Sequence, residues 1–159
     1  MKTVQERATR RRLGESLITQ VSVRILVPFI QLFGLYIIAH GHVSPGGGFQ
    51  GGVVLGASFI LLALAFDLKT SLRYFPEGVN ALTGNVGVLL YVGTGVLCAL
   101  VGGLFLDYAA LAALIPLEAA QWRYYGAFIV ELGVGLAVMA IMASLYWDLG
   151  SAGKLDEGL

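Results

Sequence analysis

The residue best suited to chemistry in this sequence is Glu131, a carboxylic acid inside a long apolar run. A charge buried in lipid is costly, so an acid in such a run should face protein or a water-filled cavity. An acid in that position is by default a candidate for holding or relaying a cation or a proton. Two structural alternatives stay open, namely a salt bridge to a partner helix and solvation close to a membrane surface.

Two histidines, His40 and His42, are the other titratable candidates. An unperturbed histidine titrates near pH ~6.5, so either could serve a proton path. The alternative is a loop histidine that only makes hydrogen bonds. Two residues apart, the pair would not share one face of a helix, and no cysteine or nearby carboxylate joins them. We therefore predict no metal site.

The histidines open a glycine-rich segment that includes Pro45, Gly46, Gly47, Gly48, Phe49, Gly51 and Gly52. Proline ends a preceding helix, while consecutive glycines allow unusual backbone angles and the close approach of another backbone. We predict a sharp turn that starts the next helix, either as a tight hairpin or as a re-entrant element lining a hydrated path. No Lys-Ser/Thr pair follows the glycines and no strand precedes them, which argues against a phosphate-binding loop.

Four long apolar runs must position these groups. The chain is 57% hydrophobic and only 13% charged, against about 25% charged residues in soluble domains. A hydrocarbon core about 30 Å thick requires about 20 apolar residues in a helix. We predict an all-α integral membrane protein, a single membrane domain over residues 1–159, with a glycine-rich hairpin between helices 1 and 2. The predicted spans are residues 17–39, 49–66, 86–106 and 124–147.

Basic residues predict the orientation. They cluster before or at the start of the first span, at Lys2, Arg7, Arg10, Arg11, Arg12 and Arg24, and between spans two and three at Lys69 and Arg73. The connection between the first two spans has none, so the positive-inside rule places both termini in the cytoplasm and the chain in the cell membrane. Aromatic residues at both ends of span four are expected to be anchors at the membrane surface, namely Trp122, Tyr124 and Tyr125 at one end and Tyr146 and Trp147 at the other. The formal net charge of zero suggests no nucleic-acid partner.

Small residues spaced four apart predict close contacts between helices, within the chain or with other subunits. The pattern does not identify the partner. The glycines that we assign to helix packing are Gly56, Gly95, Gly103, Gly133 and Gly135.

The run from Gly41 to Gly52 resembles the Gly-His-x-x-Pro-Gly-Gly-Gly-Phe-x-Gly-Gly pattern of the MnhB-like family, whose members are the B subunits of Mrp-type multisubunit Na⁺/H⁺ antiporters. Two shorter stretches, residues 65–67 and residues 131–134, support the resemblance. At Glu131 some relatives have aspartate, which keeps the charge but shortens the reach. The resemblance extends over residues 27–147.

The resemblance implies a four-helix accessory subunit with no cofactor, joined to other antiporter subunits in a hetero-oligomer that exchanges Na⁺ for H⁺. It implies a place in or beside an ion route for His42, Phe49 and Glu131. We therefore expect an antiporter subunit that performs no covalent chemistry.

Three alternatives stay open. B-like subunits also occur in membrane-bound hydrogenases and similar redox-driven complexes that carry an antiporter-like module. A purely structural assembly subunit is a second possibility. An autonomous channel is a third possibility. Four spans with a single central acid argue against it, unless the chain forms a homo-oligomer.

Overall fold

The computed structural model describes residues 2–41, 47–66, 68–116 and 118–151, with side chains from Leu17 onward. This part of the chain is helical and contains no strand. The helices are α1 (Lys2–His40), α2 (Gly48–Phe66), α3 (Leu68–Tyr74), α4 (Glu77–Leu100) and α5 (Ala119–Gly150), with a 3₁₀ helix (Tyr108–Ala113) before α5.

Four of these helices are long and apolar enough to cross a membrane: Leu17–His40 within α1, and the whole of α2, α4 and α5. The prediction of an all-helical chain with four candidate membrane-spanning helices is therefore confirmed. The third of them differs most from its predicted span of 86–106. Helix α4 begins at Glu77, directly after Pro76, because proline has no backbone N–H to donate and is well tolerated at a helix start.

Helix α4 ends at Leu100, and the chain then turns through Gly102, whose φ of 99° lies in the left-handed region. Glycine tolerates that angle at no steric cost. The residues after Leu100 are still apolar, but they are not part of the α4 helix. Hydropathy alone therefore does not mark the end of this helix.

The four long helices lie side by side in the order α1, α2, α5, α4. Among the described residues, α2 has substantial contacts with α1 and α5, and α4 has them only with α5 and slightly with the 3₁₀ helix. The contacts of Gly48, Gly52 and Gly56 move progressively along α5 in the same direction, so α2 and α5 run parallel. The result is a bent layer of helices, in which α1 also touches α5 through Ile38.

Glycines set the spacing inside this layer. A Cβ atom on Gly52 would lie 2.6 Å from the carbonyl oxygen of Gly135, and one on Gly87 would lie 2.6 Å from that of Gly133. Real Cβ atoms do not come that close to a backbone oxygen, so the helices meet backbone to backbone at these points.

The glycines predicted to pack helices fall into two groups. Gly56, Gly133 and Gly135 lie at contacts between the long helices. Gly95 and Gly103 instead contact Phe105 and Ala110, which belong to the segment after α4.

At the other end of the layer, polar bonds join α5 to its neighbours. The Nδ2 of Asn80 donates to the carbonyl oxygen of Ala140 at 3.0 Å and to the hydroxyl of Ser144 at 2.7 Å. The indole Nε1 of Trp147 donates to the hydroxyl of Ser71 in α3 at 3.2 Å. Trp147 is only 1% exposed, so it is a core residue and the expectation of a surface anchor is wrong.

Candidate functional site

Glu131 meets the beginning of α2. It lies on α5, roughly 18 Å along that helix from Ala119, if each residue advances about 1.5 Å. The backbone N–H of Gly48 donates to Oε1 of Glu131 at 3.0 Å. The first N–H groups of a helix have no partner within it, and the helix dipole is positive at that end. The carboxylate of Glu131 therefore acts as the N-terminal cap of α2.

Three glycines surround this carboxylate. A Cβ atom on Gly41 or Gly47 would overlap the carboxyl group of Glu131, and one on Gly48 would overlap the backbone oxygen of the same residue. We call Gly41, Gly47 and Gly48 the glycine cradle. Neither Gly47 nor Gly48 has a positive φ. These two glycines are required for close approach, and the expectation of unusual backbone angles is wrong for both.

The second carboxylate oxygen of Glu131 has different surroundings. Oε2 is buried, and no hydrogen-bond partner for it is found among the described residues. Glu131 also lines a cleft of about 460 Å³. The cleft is lined by Gly41, Gly47, Gly48, Phe49, Tyr108, Ala127, Val130, Glu131 and Val134. One oxygen of this acid thus fixes α2, while the other retains its capacity to accept a proton, a cation or a hydrogen bond.

Tyr108 forms another part of the cleft. Its ring packs on Gly126 of α5, where a Cβ atom would overlap it. Burial raises the pKa of its phenol, so the hydroxyl is neutral at physiological pH. The 3₁₀ helix that carries Tyr108 therefore places a neutral aromatic side chain beside the acid.

The predicted site residues are distributed unevenly around Glu131. His40 is exposed and is not among the residues lining the cleft. Its Nδ1 hydrogen-bonds to the carbonyl oxygen of Tyr36 at 3.0 Å, and the two rings lie 4.2 Å apart between centroids. Phe49 is exposed and lines the cleft.

Three of the predicted residues, His42, Pro45 and Gly46, lie outside the described residues. They belong to the connection between Gly41 and Gly47, two members of the glycine cradle that lie against Glu131.

The remaining glycines of the motif place α2 between its neighbours. Gly51 faces α1, where an added Cβ atom would lie 2.8 Å from the carbonyl oxygen of Gly34. Gly52 faces α5 at Gly135. The motif thus combines a site for the carboxylate with two close helix contacts, one to α1 and one to α5.

Sequence reasoning did not identify Gly41 or Tyr108 as part of this site. One signal for the pairing was available, because α2 starts at glycines with no Ser, Thr, Asn or Asp directly before it to cap its first turn. Such a start requires an acceptor from elsewhere, and Glu131 is the central acid of the spans. No group of three potential metal ligands is present within the described parts of the chain.

Comparison with known proteins gives consistent matches along most of the chain. A family model described as a domain related to the MnhB subunit of Na⁺/H⁺ antiporters matches residues 18–144. The B subunit of a Na⁺/H⁺ antiporter of Bacillus subtilis is 35% identical over 134 residues, which cover 84% of this chain and 92% of that protein. A putative antiporter subunit mnhB2 of Staphylococcus epidermidis is 34% identical over 125 residues, covering 78% and 87% respectively.

Proposed function

This chain belongs to the MnhB family, and on that premise we propose that its Glu131 takes part in moving a cation or a proton through a multisubunit Na⁺/H⁺ antiporter complex. The chain is one component of such a complex, in which other antiporter subunits are its partners. The observation that carries the role of Glu131 is its buried Oε2, which has no hydrogen-bond partner in the described structure, in a residue that lines an open cleft.

The position of this oxygen supports ion handling. A buried acceptor without a partner costs about 1–3 kcal/mol, and more when the group is charged. A cost of that size is offset when the oxygen binds a proton, a cation or a water molecule in the working complex. Glu131 lies in an apolar helix, where an acidic side chain is energetically unfavourable. An acid at this position is therefore a candidate for a functional role.

The layered fold supports a site that is shared between subunits. The cleft that Glu131 lines opens on the surface of the layer, so the described residues leave one side of it without a wall. A carboxylate facing lipid is unfavourable. Another antiporter subunit that covers the cleft would enclose a polar path with Glu131 on one side.

We further propose that both termini lie in the cytoplasm and that the chain resides in the cell membrane. The basic residues support this orientation, since Lys69 and Arg73 lie on α3, at the opposite end of α2 from the glycine cradle. In this orientation Glu131 lies in the outer half of the membrane.

A second candidate is a purely structural role for Glu131, because its Oε1 caps α2. A cap of this kind contributes about 0.5–2 kcal/mol. In that case the acid would hold α1, α2 and α5 together, and transport would depend on it only through assembly.

The substitution Glu131→Gln separates the two roles. Its amide oxygen can still accept the N–H of Gly48, whereas the charge and the exchangeable proton are lost. We expect normal assembly of the complex and loss of Na⁺-dependent proton movement in inside-out membrane vesicles. Assembly is measured by the yield of intact complex after purification through a tag on this chain.

Glu77→Gln is the matched control, since Glu77 is an exposed acid at the opposite end of the layer. It should leave both assembly and antiport unchanged. Normal antiport in the Glu131→Gln complex would refute the ion-handling role. Loss of the complex itself would instead favour the structural role.

A further inference from the structure

A second groove lies at the opposite end of α1 and α2 from Glu131. It has a volume of about 400 Å³ and separates α1 from the end of α2 and the residues after α3. Its lining residues are Arg24, Val27, Pro28, Gln31, Phe59, Leu62, Phe66, Tyr74 and Phe75. Most of these side chains are apolar, and the polar groups are few.

The apolar wall of this groove is firmly supported. The rings of Phe59 and Phe75 stack with centroids 4.5 Å apart, and the ring of Phe75 lies with its centroid 6.2 Å from that of the buried Trp147 ring. These aromatic side chains link α2, the segment after α3 and α5. The groove is therefore a formed feature of the helix layer and not a gap between loose side chains.

One cation lies at the groove. The guanidinium carbon of Arg24 is 5.4 Å from the centroid of the Phe66 ring, which is within the range of a cation–π contact. Pro28 follows four residues later in α1 and has no N–H, so the carbonyl oxygen of Arg24 lacks its usual helical donor. Arg24 thus provides a cationic donor and a free backbone acceptor at one place.

Exposed charges of both signs lie around the groove at this end, since the acids Glu77 and Asp148 accompany the basic residues of α3. Lys69 and Arg73 on α3 are exposed, and Tyr74 is 68% exposed at the rim of the groove. Asp67, the acid next to Phe66 in the chain, lies outside the described residues. A pocket between membrane helices that combines an apolar wall with cationic side chains is suited to an anionic lipid.

We propose that this groove binds an anionic phospholipid from the adjacent leaflet. The phosphate accepts hydrogen bonds from the guanidinium of Arg24, and one acyl chain lies against Val27, Phe59 and Leu62. A headgroup with a hydroxyl can also donate to the carbonyl oxygen of Arg24. A second apolar helix in the same place would leave the guanidinium without an anion, so the charge favours the lipid. The lipid site is independent of the role of Glu131.

The test compares lipid binding to the purified intact complex by native mass spectrometry in mild detergent. The added lipids are phosphatidylglycerol, which is anionic, and phosphatidylcholine, which is not. We expect the complex to bind phosphatidylglycerol more tightly, and Arg24→Gln to weaken that binding by about tenfold or more, since one charge-assisted hydrogen bond is lost. Arg24→Lys should retain much of the preference, because the charge remains.

Arg73→Gln is the matched control, since Arg73 is an exposed arginine outside the groove lining. Its effect should be about twofold or less, as expected for a solvated surface charge. Equal binding of the two lipids would overturn the proposal, as would equal effects of Arg24→Gln and Arg73→Gln. If Arg24→Gln prevents assembly, the comparison uses a photo-cross-linker at Leu62. Cross-links to a protein and not to lipid would then refute the lipid site.

Discussion

The glycine cradle predicts that a single methyl group at Gly47 destabilises the complex. A Cβ atom there overlaps the Glu131 carboxyl group, so the Gly47→Ala chain must displace the acid or the start of α2. Either movement lengthens the bond from the Gly48 N–H to Oε1, which is 3.0 Å in the native chain. The harm comes from this overlap, since the φ of Gly47 is not positive.

The expected magnitude follows from three contributions. Loss of a hydrogen bond to a charged group costs about 1.5–3 kcal/mol. Forcing an extra carbon into a packed site costs about 1–3 kcal/mol. Replacing glycine by alanine restricts the unfolded chain and returns about 0.4–1 kcal/mol. The net destabilisation is therefore about 1.5–5.5 kcal/mol, and most of it falls on the contact between α2 and α5.

The assay is the fraction of intact complex that survives heating, measured by size-exclusion chromatography. Gly93→Ala is the matched control, because a Cβ atom at Gly93 in α4 has no neighbour within 4 Å. This control should be neutral or slightly stabilising, since alanine has the higher helix propensity.

A double variant tests the cause. In a Glu131→Ala background the overlapping carboxyl group is gone, so adding Gly47→Ala should cost little. The coupling between the two substitutions should thus equal nearly the whole cost of Gly47→Ala, which is at or above the roughly 0.5–3 kcal/mol typical of residues in contact. If Gly47→Ala is as stable as Gly93→Ala, or if its cost is unchanged in the Glu131→Ala background, the account of the cradle is wrong.

Two further substitutions test the helix layer. Gly87→Ala should separate α4 from α5, because the new Cβ atom would lie 2.6 Å from the carbonyl oxygen of Gly133. We expect the complex to lose about 1–3 kcal/mol of stability. The yield of intact complex should therefore be lower than for Gly93→Ala. Trp147→Phe removes the hydrogen bond to the Ser71 hydroxyl, worth about 0.5–1.5 kcal/mol, and the cavity left by the smaller buried ring should add to that cost in the heating assay. Adding Ser71→Ala to that variant should cause little further loss, and a full additive loss would contradict the importance of this bond.

The number and type of the membrane helices could be predicted from the sequence, because long charge-free runs identify spans by hydropathy alone. Their ends could not. The stretch after Leu100 is still apolar, but the turn at Gly102 depends on a backbone angle that hydropathy does not report. The start of α4 at Glu77 depends on Pro76, whose effect is local and independent of the apolar run.

The site itself was only half predictable. Glu131 and the glycine motif were each identified, but 83 residues separate Glu131 from Gly48 in the chain, and nothing in either pattern indicates that they meet. Their contact depends on α5 lying beside α2, and spans that are apolar on every side do not specify their neighbours by periodicity. The burial of Trp147 was missed for the same reason, since Ser71 belongs to another helix.

The spatial order α1, α2, α5, α4 has a consequence for how the chain is made. Helix α5, which is synthesised after the other three long helices, occupies an inner position between α2 and α4. Until α5 arrives, α4 has no substantial partner among the described helices, and the first turn of α2 has no carboxylate to cap it. Insertion of α5 therefore completes the packing of α4 and the cap of α2 in a single late step. A chain truncated before residue 119 would have an unpacked α4 and an uncapped α2, and we expect the quality-control proteases of the cell to degrade it.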